Sequence, residues 1–209
     1  MQLVMNERRA LVRRGLWLNY ATLAYNTLEA VIALVSGLLA GSVVLVGFGV
    51  DSVIEVSASV AAQWRLRADV DRTQRERVER LTARAIGISF IALALYVAVD
   101  SGKSLWLGER PDRSITGIAI LTASVIVMPI LARAKRRVAH GLESRALAAD
   151  ATQTSLCAWL SAIALVGVAL NAALGWWWAD PIAALAMVPI IAKEGFEGVR
   201  GEASCDDCC

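Results

Sequence analysis

The chain is short of the residues that build soluble domains. Charged residues make up 19% of its 209 positions, below the roughly 25% usual for soluble folds. There are only four cysteines, and three of them fall in the last five residues. That is too few and too uneven for a disulfide scaffold. No cysteine pair sits where an outward-facing thiol redox protein would exchange disulfides. There is one histidine, His140, in a charged stretch where a solvated side chain is expected. Four prolines leave no Pro-rich linker, and no soluble domain or clean internal repeat is visible. The N-terminal MQLVMNERRALVRRG is charged, and the apolar run after it is too long for a signal-peptide core, so that run is expected to remain as a span.

What is abundant is apolar sequence in long blocks. Hydrophobic residues reach 57%, with a mean hydropathy of +0.55. The blocks predict an all-α polytopic membrane protein with six spans, near residues 16–40, 42–64, 85–107, 115–131, 147–173 and 181–192. Residues 1–15 and 199–209 are left as terminal segments, and 16–198 as one transmembrane domain. If the N-terminus is cytoplasmic, 18 of the 21 basic residues fall on the inner side, leaving Lys103, Arg110 and Arg113 outside. That bias predicts both termini inside. Trp17 and Trp64 then lie at the inner ends of their spans, and Trp106 and Trp176–Trp178 at the outer interface. The basic segment after Trp64 is explained by topology rather than by nucleic-acid binding, and no nucleic-acid partner is expected.

The chemistry lies in the exceptions to apolarity. The second span, GSVVLVGFGVDSVIEVSAS, carries Asp51 and Glu55 one helical turn apart near mid-span. A charge at that depth costs roughly 2.5–3.5 kcal/mol on insertion scales. Two anions on one helix face do not glue helices together without a cation. The fifth span opens with Asp150, Gln153, Thr154 and Cys157 at i, i+3, i+4 and i+7, one helical face. Gln153 and Cys157 match the depth of the second-span acids, so two facing helices close a four-ligand site. Carboxylates supply charge and hard oxygen, and a thiolate supplies a softer donor that suits zinc. The same polar groups also serve as interhelical hydrogen-bonding residues, the plainer reading for Thr154. Glu29, one turn from Asn26, either lines an inner vestibule or accepts a helix–helix hydrogen bond. Asp100 and Lys103 read as a local ion pair, and Asp180 before Pro181 as a helix N-cap.

These residues resemble the membrane domain of the cation diffusion facilitator family. Asn26, Gly37 and Gly41-Ser42 resemble its first span and turn. Asp51 and Glu55 stand where the family has its second-span ligands. Ala149-Asp150-Ala151 resembles the opening of its fifth span, and Asp180-Pro181 with Ile182 and Leu185 the start of its sixth. The resemblance covers about residues 10–198. It implies a divalent-metal exporter, zinc above all, that works by alternating access and proton antiport. It further implies a homodimer, a bacterial inner-membrane location and no enzymatic activity. Aligned through Ala149-Asp150, the family's fifth-span ligands fall on Gln153 and Cys157; a shifted alignment puts them on Asp150 and Thr154. No histidine reaches the site in either register. The family adds a cytoplasmic domain after span six. Here the sequence reads GEASCDDCC, and Cys205, Cys208 and Cys209 are either a soft-metal site or a tail of free thiols. A non-transporting metal sensor or buffer using that tail is the alternative function.

Overall fold

A computed structural model describes the backbone of residues 2–67, 72–142 and 145–200, and the side chains of residues 11, 13–57, 59–60, 84–141 and 150–200. Trp64, Cys205, Cys208 and Cys209 lie outside the described side chains. The described chain forms six helices: α1 Gln2–Ala40, α2 Val43–Arg67, α3 Arg72–Leu107, α4 Ile115–Leu142, α5 Arg145–Leu174 and α6 Ala179–Arg200. The all-α expectation is met. Four described stretches are long and apolar enough to cross a bilayer: Arg13–Ala40, Arg84–Leu107, Ile115–Gly141 and Asp150–Leu174. In α6 the apolar run is limited to residues 181–192, between Asp180 and Lys193.

The helices outrun the apolar blocks. α3 begins at Arg72, not near residue 85, and α4 continues to Leu142, past the expected end near residue 131. Hydropathy marks where lipid can touch a helix, not where hydrogen bonding stops. Arg, Lys, Glu and Ala propagate a helix as well as Leu does. The segment expected as a polar connection after residue 131 is therefore mostly helix.

The α1–α2 corner shows how sequence fixes an end. Gly41 adopts φ 64°, left-handed backbone that glycine enters without a Cβ penalty. Ser42 N–H then donates to Gly37 O at 3.0 Å, the closing bond of a Schellman turn. Ser42 is at once the N-cap of α2, its Oγ accepting from Leu45 N–H at 3.2 Å. Asp180 reinforces this cap. Its Oδ2 accepts from Ser42 Oγ and its Oδ1 from Val44 N–H at 3.4 Å. The sequence suggests a cap for Asp180's own helix, but its hydrogen bonds to Ser42 and Val44 tie it to the start of α2.

The helices pack chiefly as α1–α2, α4–α5 and α3–α6, and α1–α4 and α5–α6 join these pairs. The α3–α6 crossing depends on two glycines. A Cβ on Gly87 would lie 2.5 Å from Val199 N and 2.7 Å from Gly195 O, so the two backbones touch there. Small residues let membrane helices approach this closely. The core holds Leu45, Phe48, Val97, Leu121, Met128 and Met187, all almost fully buried. Outward, large apolar side chains stay bare, among them Leu39, Val99, Ile115 and Val166. Buried acids with an apolar exterior invert the soluble pattern and fit a lipid surround.

Candidate metal centre

Asp51 and Glu55 project from one face of α2, and Cys157 from α5 faces them. Their ligand atoms all lie within 4.8 Å of one another, and all three residues are buried. One turn of helix sets the carboxylates side by side, and the α2–α5 contact brings in the sulfur. The donor set, two carboxylate oxygens and a thiol, suits a divalent ion of borderline softness. Asp51 Oδ2 is buried with no hydrogen-bond partner among the described residues. A buried carboxylate oxygen left unpaired is costly, and a cation is the group that would satisfy it.

α1 supplies the flank. Asn26 Nδ2 donates to Glu55 Oε2 at 2.8 Å, which holds that carboxylate in place, while Asn26 Oδ1 is unpartnered and buried. Glu29 is fully buried. Its Oε2 accepts from Ser52 Oγ at 3.0 Å and lies 3.9 Å from Cys157 Sγ. Its Oε1 accepts from Ser124 Oγ of α4, and Tyr25 OH is 2.9 Å from that same hydroxyl. Of the two sequence readings for Glu29, its side chain takes the interhelical hydrogen-bonding one.

The fifth-span candidates divide. Cys157 joins the second-span acids. Asp150 does not: its Oδ2 is ion-paired with Lys135 Nζ at 2.7 Å. Thr154 Oγ1 accepts from the same ammonium at 3.2 Å and donates to Asp150 O at 2.9 Å. Gln153 is partly buried. Cys157 thus lies with Asp51 and Glu55, while Asp150 and Thr154 are bonded to Lys135. Lys103 pairs with Glu109 at 3.1 Å, whereas Asp100 accepts from Tyr96 OH at 3.3 Å. The expected Asp100–Lys103 pair is replaced because Gly108 turns the chain and brings Glu109 back over the end of α3. His140 is exposed, as its setting suggests.

Sequence reasoning missed two features. Lys135 sits among Arg133, Arg136 and Arg137 and reads as one more topology charge, yet it is wholly buried. Ser52 and Ser124 are hydroxyls in apolar helices, and nothing in their spacing ties them to Glu29.

Comparison with known proteins agrees with this architecture. The chain is 29% identical over 175 residues to the uncharacterized transporter sll1263 of Synechocystis sp., covering 79% of this chain and 56% of that protein. It is 28% identical over 174 residues to the uncharacterized transporter YdbO of Bacillus subtilis, covering 80% of this chain and 60% of that protein. The chain therefore spans less than two thirds of the length of these curated relatives. Residues 20–203 match the family described as the cation efflux transmembrane domain. That match covers most of the chain and bears out the family resemblance drawn from the sequence: the chain belongs to the cation efflux transmembrane domain family.

Proposed function

We propose that this chain exports a divalent transition metal, zinc first, from the cytosol by alternating access with proton antiport. The observation that carries the reading is the buried cluster of Asp51, Glu55 and Cys157, with an unpartnered oxygen on Asp51. Among the described residues, no lysine or arginine ion-pairs with either acid; Lys135 is paired with Asp150 instead. A metal ion supplies the missing positive charge, and two oxygens with one sulfur favour zinc over magnesium or calcium. Release needs a way to weaken the hold. Protons compete with metal for carboxylate and thiolate alike, so an inward proton gradient would drive discharge.

In this reading all six helices cross the bilayer and both termini are cytoplasmic. The distribution of basic residues supports that orientation. The protein works in a bacterial inner membrane as a homodimer. Gln153, one turn before Cys157, is placed to meet the ion when the helices rearrange, and the tail cysteines Cys205, Cys208 and Cys209 would collect metal from the cytosol.

The test is metal uptake by proteoliposomes under an imposed pH gradient, with zinc, cadmium, cobalt, manganese and iron compared. Flux that follows the gradient and vanishes in Asp51→Ala supports the exporter. Folded protein that moves none of these ions, yet binds them, would mark a metal buffer instead.

A further inference from the structure

We propose that Glu29 of α1 is a fourth donor to the metal, which makes the centre a three-helix site with three carboxylates and one thiolate. The inference rests on the reading of Asp51, Glu55 and Cys157 as the metal centre.

Depth is the first argument. α1 and α2 run antiparallel, and Asn26 bonds to Glu55 while Glu29 bonds to Ser52. Glu29 is thereby level with Asp51 and Ser52, one contact outward from the three-residue cluster, which it meets at Cys157. Distance is the second. Glu29 Oε2 is 3.9 Å from Cys157 Sγ. A zinc ion bound at about 2.3 Å from sulfur and about 2.1 Å from oxygen would hold those atoms about 3.6 Å apart at a tetrahedral angle. The pair is already near the spacing of two ligands on one ion.

The third argument is chemical. Glu29 is fully buried, and its partners among the described residues are hydroxyls and a thiol. A glutamine would offer one oxygen and one NH2 group, so it could accept from only one of the two serine hydroxyls, whereas both carboxylate oxygens are in use here. Among the described residues no lysine or arginine ion-pairs with Glu29, and a metal would bring the positive charge that an ionised Glu29 lacks. The two serines divide the carboxylate, Ser124 on Oε1 and Ser52 on Oε2, and Tyr25 backs Ser124. Ligating carboxylates are oriented by outer partners of this kind. The unpartnered, buried Oδ2 of Asp51 is an independent sign that the same space takes a cation. Four donors from three helices would favour a tetrahedral ion such as zinc or cobalt over ions that demand six oxygens.

Cobalt(II) titration of the purified full chain in nanodiscs tests this, because cobalt reports both its sulfur ligand and its coordination number by absorbance. The wild type should show a thiolate-to-cobalt charge-transfer band, lost in Cys157→Ser, and intense four-coordinate ligand-field bands. Glu29→Gln should keep the charge-transfer band, change the ligand-field bands, and weaken binding by about tenfold or more. Unchanged ligand-field bands in Glu29→Gln overturn the fourth-donor assignment and leave the three-residue centre standing. A wild type that binds no cobalt overturns both. If Glu29→Gln does not fold, zinc-induced infrared difference spectra of wild type labelled with carbon-13 at the glutamate carboxylates decide the matter. Two shifted glutamates, Glu29 with Glu55, support the assignment, and one overturns it.

Discussion

Lys135 Nζ lies 2.7 Å from Asp150 Oδ2, and the lysine is wholly enclosed by the bundle. The acid that opens the polar face of α5 is therefore matched to a base on α4. Breaking a buried pair by removing one partner strands the other charge, at a cost of about 3–5 kcal/mol. The side chain of Asp150 is 30% exposed, so solvent screens part of this. Lys135→Ala is expected to destabilise the protein by about 3 kcal/mol, at the lower end of that range. Thermal unfolding in detergent measures it. The double replacement Lys135→Met with Asp150→Leu should recover most of the loss, and a double variant no better than the single one would contradict the assignment.

Asp51→Asn should leave the fold intact and abolish metal binding. Its Oδ2 makes no hydrogen bond to lose, so removal of its charge relieves the buried cluster. Metal affinity of the wild type should rise with pH, by about tenfold per unit for each proton the metal displaces. Calorimetric titration with zinc from pH 6 to 8 reads both effects. Affinity that is flat with pH would show that no proton is exchanged.

Cys157→Ser exchanges a soft donor for a hard one at unchanged position. The preference for zinc over manganese should fall by about tenfold or more, since thiolate favours the softer ion. Competitive uptake of the two ions in one vesicle preparation gives the ratio directly. An unchanged ratio would place the sulfur outside the coordination sphere.

Much of this was legible in the sequence for a simple reason. Lipid permits few exceptions to apolarity, so Asp51, Glu55 and Cys157 stood out in otherwise apolar spans, and helical periodicity placed them on facing stripes. The six-helix order followed from block lengths. What could not be read were relations across helices. Whether Asp150 faced a metal or Lys135 depended on the rotation of α4 against α5, which hydropathy does not encode. Glu29 and Ser124 are 95 residues apart in sequence and meet only through the α1–α4 contact. Asp180 looked like a cap from its place before Pro181, yet its oxygens reach the neighbouring helix because α2 starts beside it.

That neighbouring cap predicts a measurable cost. Asp180→Ala removes acceptors from both Ser42 Oγ and Val44 N–H at the start of α2. A lost cap is worth about 1 kcal/mol, and a stranded buried hydroxyl about as much again. The melting temperature should fall accordingly, whereas Asp180→Asn, which keeps an acceptor oxygen, should lose less. Equal losses in the two variants would show that charge rather than hydrogen bonding holds this corner.

The burial of Cys157 turns it into a clock. Its sulfur has no exposure in this structure, so a polar alkylating reagent cannot reach it. Labelling of Cys157, in a variant whose tail cysteines are replaced by serine, would accumulate only during the moments when the centre meets water. The labelling rate would then measure how often the cavity opens, and bound metal would slow it by occupying the thiolate. One buried atom would thus report both access and occupancy, with no probe added to the chain.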